Sequence, residues 1–267
     1  MSESRGARIL LRLASVAVLF FLYLPLVVVV IYAFNTSRLQ AWPPAGLTLF
    51  WFQEALENQR VIRAVINSLL AATFATVIAL VLGTLSAIAV HRYAFFGRQT
   101  ISFLFVLPIA LPGVVTGIAL QRSLITFGID FGLLTIVIGH ATFCVVIVFN
   151  NVIARLRRLP RSPEEASADL GGDMFTTFRR ITGPRLGTAL MSAALLSFAL
   201  SFDEIIVTLF TAGPGTQTIP MFIFSSIQRP NELPIVNVVA FILILASIIP
   251  VWLAQRISGA ETTGARL

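Results

Sequence analysis

Asp203 and Glu204 are adjacent carboxylates at the end of a run, Ser192 to Phe202, made of apolar and small residues, and the chain continues into Ile205-Ile206. Two charges in a stretch long enough to lie in lipid are costly and mark a function. The pair attracts or gates a cationic solute, or it forms an ion pair that fixes helix packing, for instance with Arg122. Covalent chemistry finds less support. All nineteen basic residues are arginine and none is lysine, which excludes a P-loop lysine, a Schiff-base lysine and a Ser-Lys dyad. His91, His140 and Cys144 are scattered, too few for a metal site, and read as packing or interface residues. No catalytic or metal-binding residue is assigned, and ATP chemistry must sit on another chain.

The second stretch with a specific local grammar is residues 155–185, a long polar segment with seven arginines and four acids. Ser162, Pro163 and Glu165 read as an N-cap, an N1 proline and a capping-box partner, so a helix starts there. Gly171-Gly172 supplies a left-handed stop. Asp173 then caps a second helix over about 174–182, with Phe175, Phe178 and Ile181 on one side, and Pro184 ends it. Arginines alone would suit an inside loop of a membrane protein. Caps, a double glycine and an aromatic face predict a folded helix-turn-helix docking element instead.

The elements that must hold these groups are apolar. The chain is 57% hydrophobic and 12% charged, more apolar than a soluble core can hide. The composition predicts an all-α integral membrane protein, with six spans at about 9–35, 64–90, 100–127, 133–153, 186–210 and 234–254 in one transmembrane domain. The formal charge of +7 would suggest nucleic acid in a soluble chain. Here the arginines cluster in short loops, so they report orientation and imply no nucleic-acid partner. Fourteen of them fall on segments assigned to the inside, including Arg5 and Arg266, which predicts cytoplasmic N- and C-termini.

Within this scheme 49–57 reads as an amphipathic helix at the headgroups or as an aromatic belt. The small residues of 64–90 suit a helix packed among others. Pro108, Pro112, Gly113 and Gly117 bend or break the third span, as a pathway wall would. Gln121 and Arg122 lie near its outer end, where the arginine can simply snorkel. Counting from Leu186 along a continuous fifth span puts Asp203 roughly 25 Å up, in the outer half of the bilayer. The fourth span feeds the 155–185 loop, whose first helix should pack beneath it.

The run Glu165-Ala166-Ser167, three residues, Gly171, nine residues, Ile181, one residue, Gly183-Pro184 resembles the EAA loop of permease subunits of binding-protein-dependent ABC importers. That family has alanine where Ser167 stands and leucine where Gly183 stands. Asn67-Ser68-Leu69, Leu107-Pro108, Leu111-Pro112-Gly113, Leu200 to Glu204, Ala212 to Gly215 and Thr218-Ile219-Pro220 are similar to the spermidine/putrescine-type permeases, especially the shorter of their two permease subunits.

The resemblance implies the type I ABC importer permease fold. It also implies an assembly with a second permease (a heterodimer), two ATP-binding subunits carrying ATP and Mg, and an extracytoplasmic solute-binding protein. Glu164, Glu165, Ala166, Ser167, Gly171, Ile181 and Pro184 would couple the chain to the ATPase. Asp203, Glu204, Gln121 and Pro112 would belong to the solute pathway, and Gly213, Pro214 and Gly215 would face the binding protein. The expected solute is a small cation such as putrescine or spermidine, the alternative being ferric iron, phosphonate, thiamine or an opine or amino-acid-like solute. A stand-alone secondary transporter would call for an inverted repeat, and an intramembrane hydrolase for a paired nucleophile and base. The sequence offers neither.

Overall fold

The structure is a computed structural model that describes residues 5–264, with side-chain surroundings at 6, 8–105, 107 and 111–248. The termini proper, with Arg266, and the side chains of Arg5, Pro108 and Arg256 lie outside the described residues. Helices follow one another as α1 Arg5–Ala33, α2 Phe50–Glu57, α3 Gln59–Arg92, α4 Arg98–Ala110, α5 Gly113–Thr126, α6 Leu133–Leu156, α7 Ser162–Asp169, α8 Met174–Thr177, α9 Gly183–Phe202, α10 Ile206–Thr211, α11 Ile219–Ile227 and α12 Leu233–Gly264. Among the described residues no strand forms beyond the single bridge Asn35 to Leu47. Among the described residues five helical stretches are long and apolar enough to cross a membrane: Arg8–Ala33, Gln59–Arg92, Leu133–Leu156, Met174–Phe202 and Pro230–Ile248. The expected third span is instead divided between α4 and α5, of 13 and 14 residues.

The chain divides into two units, Met1–Ile62 with Ile223–Arg256, and Arg63–Phe222 with Ile257–Leu267. In the first, Asn35 lies just past the end of α1 and organises the segment leading to α2. Its Oδ1 accepts from the Ala45 amide at 3.0 Å, and its carbonyl accepts from Trp51 Nε1 at 2.9 Å. Trp51 is buried, with its indole N–H satisfied inside the protein, while Leu49 and Phe50 beside it stay exposed. Phe34, Phe52 and Phe241 cluster edge-on or tilted, with centroids 4.9 to 5.9 Å apart. Glu232 accepts from Arg60 at 2.9 Å, Arg229 at 3.0 Å and Ser226 at 2.6 Å.

In the second unit α6 is the central helix. Cys144, Val148 and Val152 on it pack with Ala79 and Ala87 of α3, Leu186 and Ala193 of α9 and Val207 of α10. Phe149 stacks on Phe105 of α4 at 4.6 Å. The small residues of α3 lie on the buried face, whereas Val77, Val81 and Leu85 stay exposed, so α3 is half-embedded and keeps one apolar face outward.

The expected fifth span is not one continuous helix. It ends at Phe202, and a new helix starts at Ile206. The Glu204 carboxylate accepts from the Val207 amide at 2.9 Å, and the Glu204 carbonyl accepts from Thr208 Oγ1 at 2.8 Å. Glu204, one residue before the N-cap Ile205, thus satisfies one of the free amides in the first turn of the new helix.

Candidate coupling loop and solute pathway

The 155–185 segment folds as helix, turn, helix, with three departures from expectation. The first helix takes Arg161 as its N-cap, and no side chain caps it; the Glu164 and Glu165 amides bond to the Arg161 carbonyl. Pro163 presets the first turn, so the Ser162 hydroxyl is not required as a cap. Pro184 does not end the second helix. Residues Phe178–Thr182 widen into a π-turn in which the Gly183 amide reaches the Phe178 carbonyl, and the chain runs on as α9. Such a turn accommodates the amide that proline lacks. Finally, the side-chain bonds of α7 go to Arg92 at the end of α3, to Thr177 of α8 and to Thr182, and none among the described residues goes to α6.

The stop at the double glycine takes the expected form. Gly171 has φ +79°, and the Gly172 amide returns to the Ser167 carbonyl at 2.8 Å, the Schellman closure. Asp173 accepts from the Thr176 amide at 2.8 Å, and the Thr176 hydroxyl, followed by this amide, holds its carboxyl below the usual carboxylate range.

Arg92, the last residue of α3, bonds Glu164 Oε1 and also reaches Thr182 Oγ1 at 3.2 Å, while Thr182 donates to Glu164 at 2.6 Å. Three elements meet at one carboxylate. Ser167 and Thr177 are joined hydroxyl to hydroxyl at 2.8 Å, which ties α7 to α8. Glu165, Ala166, Gly171 and Pro184 are exposed or half-buried, and Ile181 is half-buried. The outer face of the loop is thus free, while Glu164 and Ser167 hold its inner face. Arg92 and Thr182 carry no signal in the sequence, since their pairing with Glu164 spans 72 and 18 residues.

At the break after α9, Asp203 is exposed and Glu204 half-buried. Neither forms an ion pair among the described residues, so the expected alternative of pairing with Arg122 does not hold. Asp203 stands at the negative end of the α9 dipole, and the two together make a place that favours a cation. Beside it lies the second break. Leu111 and Pro112 are extended, α5 begins at Gly113, and a Cβ there would stand 3.3 Å from Ile206 Cγ2. The break at Pro112 thus adjoins the start of α10, the helix that follows Glu204. Gln121, eight residues along α5 from Gly113, is about 12 Å farther on and does not join this break.

His140 of α6 clamps this region. It is fully buried, its Nδ1 2.8 Å from Ser201 Oγ and its Nε2 2.9 Å from Thr208 Oγ1. Thr208 uses its only hydroxyl proton on the Glu204 carbonyl, so His140 donates from Nε2 and accepts from Ser201 at Nδ1. Residues on both sides of the break are therefore held by one imidazole. By sequence alone His140 reads as a packing residue, and this polar bridge is not legible there.

The third group, Gly213, Pro214 and Gly215, forms a tight turn. Gly215 has φ +75°, and the Thr216 amide bonds to the Gly213 carbonyl at 3.0 Å, as in a type II turn with proline second and glycine third. Gly213 is buried, and a Cβ on it would collide with the Phe131 carbonyl oxygen. Asn67 Nδ2 donates to the Gln217 carbonyl at 3.0 Å, and the Ile219 amide donates to Ser68 Oγ at 2.8 Å. Pro214 and Gly215 are left exposed at the tip.

Long apolar helices, two of them broken beside an unpaired carboxylate, and a folded polar loop between two of them define a membrane permease. Residues 79–260 match the family described as binding-protein-dependent transport system inner membrane component. The putrescine transport system permease protein PotI of Escherichia coli strain K12 is 37% identical over 232 residues, 84% of this chain and 82% of that protein. The spermidine/putrescine transport system permease protein PotC of the same strain is 32% identical over 249 residues, 93% of each. A solved bacterial ABC transporter involved in the import of the acidic polysaccharide alginate shares the fold, with a TM-score of 0.71 at 16% identity, covering 96% of this chain and 99% of that one. The chain belongs to the binding-protein-dependent permease family: it is a multi-pass inner-membrane permease subunit of an ABC importer.

Proposed function

We propose that this permease forms half of the translocation pathway for a small organic cation, a polyamine such as putrescine or spermidine. In this reading it works beside a second permease, receives the solute from an extracytoplasmic binding protein, and is driven by two ATPase subunits that hold ATP and Mg. The observation that carries the solute class is the unpaired Asp203 carboxylate at the end of α9. The named solutes of the two relatives agree with it.

The loop at 155–185 faces the cytoplasm and docks on an ATPase through Glu165, Ala166 and the Gly171 turn. ATP-driven closure of the ATPases moves the loop, and the Glu164 link passes that movement to α3 and α9. A capped and cross-linked element transmits such a pull where a floppy loop would absorb it. At the other end the Gly213 turn receives the loaded binding protein. The solute then passes Asp203, whose charge offsets part of the cost of dehydrating a cation between the permeases.

Uptake competition in cells carrying the assembled importer tests this. Labelled putrescine should be taken up and displaced by spermidine, with Asp203→Asn reducing uptake at unchanged protein level. Uptake of ferric iron or an anionic phosphonate with no competition from polyamines overturns the solute class.

A further inference from the structure

The stem of the 155–185 loop, where the chain leaves α6 and enters α9, holds a polar cavity of about 300 Å3. Asn151, Arg155 and Arg158 line one side of it, Thr188 and Ser192 the other. Each of these five side chains can donate a hydrogen bond, and no acid is among the described residues that line the cavity. Neither arginine forms an ion pair among the described residues. Arg155 is half-buried and aimed by its own Nε, which donates to the Arg185 carbonyl at 3.2 Å and so ties the two ends of the loop. That bond leaves its terminal amino groups unused. Asn151 Nδ2 spends one proton on the Ile147 carbonyl at 2.9 Å and keeps a second. Two positive charges three residues apart across a helix end repel each other. The positive-inside bias accounts for arginines here, but it does not gather an amide and two hydroxyls around them.

We propose that this cavity is an anion site for a phosphate group, gripped by Arg155 and Arg158 and completed by Asn151, Thr188 and Ser192. Guanidinium forks match phosphate oxygens two at a time, and such charge-assisted bonds are stronger than neutral ones. Free inorganic phosphate and the headgroup of a phospholipid present the same chemistry to these donors. Bound there, the anion cancels the repulsion between the two arginines and bridges α6 to α9. It thereby closes the stem through which any movement of the loop must pass. The site depends on neither the solute class nor the ATPase contact proposed above.

The rate at which N-ethylmaleimide labels Ser192→Cys in the assembled importer, held in phosphatidylcholine nanodiscs, tests the site. Cys144, the chain's own cysteine, is buried and adds little background. Inorganic phosphate should slow labelling beyond what chloride at equal ionic strength does, or phosphatidylglycerol added to the nanodiscs should slow it. Protection by free phosphate identifies a soluble source, and protection by the lipid alone identifies a headgroup. Arg158→Gln changes an exposed side chain and should weaken either protection about tenfold, the effect of one charge-assisted bond. Thr188→Val, also on an exposed residue, should weaken it less and gives a second reading should the arginine variant fail to assemble. Protection by neither probe, or protection unchanged in both variants, overturns the proposal. So does a Ser192→Cys that resists labelling with no probe present, because the cavity is then filled by a neighbouring protein chain.

Discussion

Glu164 in α7 is ion-paired to Arg92, the terminal residue of α3, and both side chains are largely shielded from solvent, 15% and 26% exposed. Thr182, at the π-turn that leads into α9, bonds to both. The loop is thus fastened to one helix by charge and to the next by its own backbone.

Breaking this fastening should uncouple the transporter without dismantling it. Glu164→Ala is expected to leave ATP hydrolysis by the assembled complex near normal and to lower uptake at least about tenfold, some 1.4 kcal/mol. Arg92→Ala should do the same, and the double variant should be no worse than either, with a coupling energy of about 0.5–3 kcal/mol. Parallel assays of hydrolysis and uptake in proteoliposomes measure this. Equal loss of both activities would mean a failure of assembly instead.

Gly171 tests the turn separately. Nothing lies within 4 Å of a Cβ placed there, so any effect is conformational, and a non-glycine residue at φ +79° costs about 1–2 kcal/mol. Asparagine tolerates that region and valine does not. The expected order of uptake is wild type, Gly171→Asn, Gly171→Ala, Gly171→Val, at equal membrane levels by immunoblot. An order that follows side-chain volume alone would speak against a conformational cause.

The helix break assigns different duties to neighbouring carboxylates. Asp203 is exposed with no ion-pair partner among the described residues, whereas Glu204 accepts the Val207 amide. Asp203→Asn should therefore reduce polyamine uptake several-fold with little change in thermal stability. Glu204→Gln keeps a carbonyl oxygen for the cap and should be mild, and Glu204→Ala should lower stability by about 1 kcal/mol, as lost caps do. Thermal melts beside uptake kinetics separate the two. If Glu204→Gln proves the more damaging to uptake, the roles are reversed.

Much of this site is readable from the chain because its signals are local. Pro163, Gly171-Gly172 and Asp173 act on neighbours within a turn, so helix, turn, helix is legible. The passage of the second helix through Pro184 is not, because a proline reads as a stop unless a π-turn absorbs its missing donor. The break at Asp203 is hidden for a related reason: an apolar run with two acids looks the same whether the acids cap a new helix or interrupt an old one. The embrace of Gly213 by the Phe131 backbone, like the Glu164 to Arg92 pair, depends on residues distant in sequence, which periodicity does not register.

His140 offers the last test, because its two bonds cross the break. Ser201 belongs to the final turn of α9 and Thr208 to α10, and His140 holds both from α6. Hydrogen bonds between membrane helices are worth about 0.6 to 1.7 kcal/mol each, so His140→Phe should destabilise the purified chain by roughly 1–3 kcal/mol. His140→Gln reaches one partner at a time and should fall between. The break should also lose its fixed geometry, so apparent affinity for polyamine should worsen in the same order, with Asp203 itself intact. A phenylalanine variant that melts like the wild type, with unchanged KM for uptake, would show that packing alone holds α9 and α10 in place.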